Sequence, residues 1–476
     1  MQLVEQIERR VVQHRSETDR RRVENRPAGR GSNKGGSMLI RRSSPSGDGS
    51  LEHSRERPAS RRGGGLARLA RITTLLGALL GISLEAGAEP QRAEIDAPRP
   101  TMRAVFEEMK LLIPLSLDEG RWSDPANQAR VLEALQRLER QADTLERHGR
   151  AREVGFDELA LNLADDLRQV HEYYRTGGYD EARFFLTGSL QNCVSCHVRL
   201  PSARSFPLAD ELLEQLEVQA LDLREQAWLL VTVRRFDAAL SAWEALMQDP
   251  KVSPSQLDAG GALVDYLNVA LRVRTDIPRV RRELARLSKR QDIPVYLDQR
   301  LRSWRKALDQ LDPDKLGPDT SPSLDRGAEL AEASGALAEG PYGRDGLVQD
   351  LVASSQLVRW LERDRTKRRG TTRNPTAQER RETAKAYYWL GVVESRSLDG
   401  FWVNLSDRHL EAAIRADPKG PFATPAYARL EETQVLGYGG SSGVHLPADV
   451  WTTLKELREL MGIDNAIDPE FDRISR

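Results

Sequence analysis

"LTGSLQNCVSCHVRLPSARSF", residues 186–206, holds both cysteines of a 476-residue chain, three positions apart, with a histidine directly after the second. The surrounding pattern predicts a helix over 180–200. Ala182, Phe185, Leu186, Leu190, Cys193 and His197 trace its inner side, and Pro201 stops it. Residues three and four apart share a helix face, so Cys193, Cys196 and His197 project together. Cys-x-x-Cys-His is the spacing of covalent haem c attachment. Each thiol adds across one vinyl group of the porphyrin, and the adjacent imidazole reaches the iron as axial ligand. Two other chemistries use paired cysteines. A zinc site needs four ligands; no other cysteine exists here, and His171 is the nearest other histidine. A thioredoxin-like pair sits at a strand-to-helix junction, whereas everything around this pair reads as helical. The stretch therefore predicts one covalent haem c on Cys193 and Cys196, with His197 on the iron.

Three more amphipathic segments precede this helix. The first covers about 101–113 with Pro114 near its end, and Met102, Phe106 and Met109 share one face. The second has Ser123 and Asp124 as candidate caps and Pro125 at its first helical position. Its stripe is Val131, Leu135, Leu138, Ala142 and Leu145, in the alternating steps of a bundle seam. The third starts near Phe156 and carries Leu159, Ala160, Leu163, Leu167, Val170 and Tyr174 before Gly177-Gly178 reverses the chain. Four helices with short connections predict an up-down-up-down bundle.

A four-helix bundle with Cys-x-x-Cys-His in its last helix resembles the cytochrome c-prime class. The resemblance covers about residues 101–201 and rests on helix order and motif position. It implies that Cys193 and Cys196 hold the haem, that His197 is the proximal ligand, and that the first helix covers the distal face. Met102 is then the distal candidate and Met109 the alternative, each against a reading as core filler. An apolar distal residue would leave the iron five-coordinate. His171 is a further candidate ligand, and Tyr173, Tyr174 and Arg183 are candidate pocket residues. A sulfur ligand favours electron transfer; an open position favours gas binding.

Residues 1–88 carry 17 Lys and Arg against 9 Asp and Glu, leaving the remainder with 54 against 63. That acidic body argues against a nucleic-acid partner. Residues 1–65 read as disordered or untranslated, with Met38 a candidate true start. Then Arg61, Arg62, Arg68 and Arg71 precede a 13-residue apolar run from Ile72 to Leu84, and Ala86-Gly87-Ala88 offers a small-residue cleavage site. This is the layout of a secretory signal. The run is shorter than the roughly 20 residues a membrane span needs. The expected mature chain is periplasmic, is cleaved after Ala88, and has no transmembrane segment.

Beyond the haem bundle (89–203), residues 204–311 read as helical hairpins. "FDAALSAWEALMQDP" (236–250) resembles the second half of a tetratricopeptide repeat, with Ala239 and Trp243 at its packing positions. Residues 312–327 are rich in Pro, Asp and Ser and read as a linker. Residues 328–476 read as a second repeat-like region. Leu390-Gly391, Ala413 and Pro418 fit the repeat pattern, with an insertion near 397–405, a basic loop at 363–381 and a glycine-rich turn at 437–447. The expected fold class is all-α: a four-helix haem bundle followed by a tetratricopeptide-like α-solenoid. The expected function is electron transfer rather than enzymatic turnover, with a redox protein partner docked on the repeats. The alternatives are a haem-based gas or redox sensor and a haem-stabilised interaction scaffold.

Overall fold

This computed structural model describes residues 98–463, apart from 150–153, 200–208, 217, 219–220, 260, 339–343, 369–372, 397–404 and 441–442. The predicted leader and signal, the closing Pro201 and the predicted insertion lie outside the described residues. The fold is all-α. Among the described residues the only strand pairing is a hairpin of β1 (Gly439–Gly440) and β2 (Gly443–Val444), inside the glycine-rich turn.

The first long helices are α1 (Pro98–Ser116), α3 (Pro125–Gly149), α4 (Phe156–Arg175) and α5 (Tyr179–Arg199). Every residue of the predicted α3 and α4 stripes is buried. Asp124 caps α3 by accepting from the Ala126 amide, with Pro125 at its start. Gly177 takes a left-handed φ of 86° in the turn between α4 and α5. A short helix absent from the sequence reading, α2 (Glu119–Ser123), sits between α1 and α3. Its buried Trp122 donates to the Tyr179 carbonyl at 2.9 Å, and the Tyr174 hydroxyl donates to the Trp122 carbonyl at 2.8 Å. These bonds tie α2 to the end of α4 and the start of α5. The densest packing runs α1 on α3, α3 on α4 and α4 on α5.

The chain then turns back. After α6 (Ala209–Gln215), whose Leu212 joins the core of these helices, comes a hairpin of α7 (Leu223–Thr232) and α8 (Phe236–Gln248). Asp222 and Glu225 form a reciprocal cap at the start of α7. Ala239 and Trp243 are buried in α8. Next are α9 (Pro254–Ala259) and α10 (Ala262–Leu267), which runs into a fully buried π-helical turn (Asn268–Val273). Then follow α11 (Ile277–Leu287), α12 (Val295–Asp309) and α13 (Pro313–Leu316). The last set is α14 (Leu324–Ala338), α15 (Leu347–Arg368), α16 (Ala377–Arg396), α17 (Ser406–Ala416), α18 (Ala423–Gly437) and α19 (Ala448–Met461). Gly391 explains its place in the repeat pattern: a Cβ there would lie 2.8 Å from Leu410 Cγ, so glycine lets α16 and α17 approach closely.

Three sequence expectations need correction. The stretch 363–381 is mainly two helix ends rather than a basic loop. Three of its cations are held internally: Arg363 donates to the Pro322 carbonyl, Arg368 pairs with Asp364, and Arg373 pairs with Glu379. Residues 317–323 of the linker form a fastened strap, because Arg359 donates to the carbonyls of Gly317, Pro318 and Thr320. The end of α5 is not buried among α1, α3 and α4 alone. Val194 and Val198 are buried in the large cluster built from α7 through α16. The C-terminal helices reach the same end: Arg408 of α17 pairs with Glu158 of α4 at 2.6 Å.

Candidate haem-binding site

Cys193, Cys196 and His197 are all half-buried, while their neighbours Val194, Ser195 and Val198 are buried. A turn of α5 thus offers three ligand-type side chains along one edge. Asn192 fixes this turn to α4 by donating to Asp166 Oδ2 at 2.7 Å. Cys193 and Cys196 are free thiols. The Cys193 sulfur points to the Ser189 carbonyl 3.8 Å away, and burial pushes its pKa up to about 11. A reactive redox cysteine is marked by a lowered pKa, so this thiol lacks the signature of a thioredoxin-like pair. Among the described residues, no three His, Cys, Asp or Glu side chains converge as a metal-ion site.

His197 carries the most specific geometry. Its Nδ1 lies 2.6 Å from the Thr232 carbonyl, at the C-terminal end of α7. A carbonyl oxygen only accepts, so Nδ1 holds the ring proton and Nε2 presents its lone pair. Burial pushes the imidazole pKa down to about 4; the nearby Arg234 cation adds to the shift and the Thr232 bond opposes it. The ring is therefore neutral at physiological pH. Arg234 has a left-handed φ of 63°, and its guanidinium lies 6.0 Å from the Phe236 ring centre. Backbone strain in a non-glycine residue is concentrated at functional turns.

These features fit a covalently held haem. The tautomer leaves the Nε2 lone pair available to a metal, a backbone carbonyl orients the ring from behind, and two thiols stand one helical turn apart.

The distal candidates sit less simply. Met109 is buried in the core with Val105 and Leu112, and Met102 is partly buried against it. Measured from the end pinned by Trp122, a rise of about 1.5 Å per residue puts Met109 near 10 Å and Met102 near 21 Å. On the same scale Cys193 stands near 21 Å and His197 near 27 Å. Only Met102 reaches the level of the motif. Yet α1 packs chiefly on α3, with no dense contact to α5 among the described residues. His171 lies near the pinned end and is engaged by Glu139 at 3.0 Å. Tyr174 is bonded to Trp122, Tyr173 stacks on Phe185 with centroids 5.2 Å apart, and Arg183 faces Glu119 at 3.8 Å. All four stand at the opposite end of the helices from His197.

Sequence reasoning missed Thr232 and Arg234. They lie 35 and 37 positions beyond His197, and only the hairpin's return against α5 brings them to the ring. The one local cue was the short connection before "FDAALSAWEALMQDP". No protein-family model, curated protein or solved structure matches this chain.

Proposed function

We propose that this chain is an exported monohaem c-type cytochrome that carries electrons in the periplasm. On this reading α1, α3, α4 and α5 are a four-helix haem bundle, and the later helix pairs are tetratricopeptide-like repeats that receive a redox partner. The observation that carries the proposal is the His197 Nδ1–H bond to the Thr232 carbonyl, within Cys-x-x-Cys-His. It orients a neutral imidazole with Nε2 available, as an axial ligand requires.

Cys193 and Cys196 would hold the haem, His197 would ligate the iron, and Met102 is the distal candidate. Bound there, haem supplies a one-electron couple. The chain's own part is to hold. The thiols fix the haem to α5, the end of α7 fixes the ring of His197, and Asn192 with Asp166 fixes the helix that carries them.

The test is expression with haem-maturation machinery, followed by denaturation and optical and resonance Raman spectroscopy. One haem should stay on each chain after denaturation, and Cys193→Ala with Cys196→Ala should lose it. Met102→Ala should convert a six-coordinate low-spin spectrum to a five-coordinate one, and Met109→Ala should not. A chain that acquires no haem, or releases it intact on denaturation, defeats the proposal.

A further inference from the structure

At the end of α5, one and two residues past His197, the chain meets a cluster of buried charges. Arg199, Arg272, Glu394 and His409 are 7%, 3%, 3% and 2% exposed. They come from α5, the π-helical turn, α16 and α17. Arg199 grips both carboxylate oxygens of Glu394, at 3.2 and 3.5 Å. His409 Nδ1 lies 3.2 Å from Glu394 Oε2, and the His409 ring is stacked by Tyr387. Arg272 Nη2 lies 3.9 Å from Glu394 Oε1. Its other nitrogens donate to the Val198 carbonyl at 2.9 Å and the Ser354 hydroxyl at 2.7 Å. Two guanidinium groups thus face one carboxylate. Arg272 touches the residue next to His197, and Arg199 is two positions from it.

Burying ions is expensive, and well-packed apolar residues usually serve stability as well. What such a cluster does that apolar packing cannot is set a fixed electrostatic potential in a low-dielectric region, where salt screens little. We propose that this cluster tunes the haem's reduction potential from the repeat side, with Glu394 as the residue that limits its positive charge. The inference rests on the haem reading above and names Glu394 and Arg272 as positioning residues of that site. Positive charge near the iron favours the reduced state. Removing the carboxylate charge must therefore raise the potential, and removing a guanidinium must lower it. A purely structural cluster gives no such opposition of sign.

The experiment is potentiometric titration of the full-length, haem-loaded protein. Glu394→Gln keeps the shape and removes the charge; at a fixed ambient potential it should raise the reduced-to-oxidised ratio at least about 5-fold. Arg272→Gln should lower the ratio by a similar factor, and the double variant should return toward wild type. Raising the salt from 0.1 to 1 M should leave these differences in place, because the groups are buried. Shifts of the two charge variants in the same direction, or both under 2-fold, overturn the proposal. Should Glu394→Gln not fold, Arg272→Gln alone decides the matter: a ratio lowered about 5-fold at both salt concentrations supports the proposal, and a ratio within about 2-fold of wild type overturns it. Absence of covalent haem on the wild-type chain is a separate result, which removes the haem reading itself.

Discussion

His197 is defined by what it cannot do. Its Nδ1–H is committed to the Thr232 carbonyl, and burial with Arg234 nearby opposes a second proton. The folded pKa of about 4 lies below the ordinary value of 6.5. Stability from the neutral ring is therefore complete above pH 6.5 and is lost as the pH falls toward about 4. The full effect is about 3 kcal/mol. We expect a haem-free background, Cys193→Ser with Cys196→Ser, to lose that much more stability across this interval than the same background with His197→Asn. Denaturant titrations at several pH values measure it, and parallel curves would refute a buried neutral imidazole. Cys193 follows the same logic with opposite chemistry. Burial keeps its thiol protonated, which makes it a poor redox nucleophile.

At the level of elements, the junction of α4 with α17 shows how the C-terminal helices reach the start of α4. Gly155 caps α4 with a left-handed φ of 81°, and a Cβ there would fall 2.1 Å from Leu405 Cδ1. Gly155→Ala thus combines a left-handed alanine, about 1–2 kcal/mol, with overpacking of about 1–3 kcal/mol. A loss of roughly 2–4 kcal/mol is expected, and hydrogen exchange should show α17 loosening before α3. Unchanged protection in α17 would mean that this contact holds nothing together. The helices themselves were legible because the stripes of α3 and α4 repeat at helical spacing without interruption. Helix α15 was harder to read. Gln349, Asp350, Ser354, Ser355 and Gln356 break its apolar pattern, yet all are buried. Their partners come from other elements: Ser334 for Asp350, Arg272 for Ser354, Thr275 for Ser355 and the Leu316 carbonyl for Gln356. Periodicity reports one helix's own face and is silent about partners far along the chain. The short α2 and the π-helical turn were hidden for the same reason.

Across the whole molecule, the site divides along the same line. Cys193, Cys196 and His197 are local and stood out in five consecutive residues, whereas Thr232, Arg272, Glu394 and His409 join them only through tertiary folding. The sequence boundary near residue 203 therefore separates two stretches of chain that share cores. Val194 and Val198 sit among side chains of α7 through α16, and Arg199 pairs with Glu394 195 positions away. An isolated fragment spanning 89–203 would expose both valines, at about 1.5–3 kcal/mol for each buried side chain. It would also strand the Arg199 charge and lose the acceptor that fixes the His197 ring. We expect this fragment, haem-loaded, to melt broadly and at lower denaturant than the full chain. The full chain, haem-loaded, should lose far-ultraviolet ellipticity and its haem-region signal in one coincident transition, because the end of α5 shares a core with α7 through α16. A fragment as stable as the whole, or a full-length haem signal that persists after the repeats have melted, would show that the haem helix is self-sufficient. In that case the repeats could not act on the haem through α5.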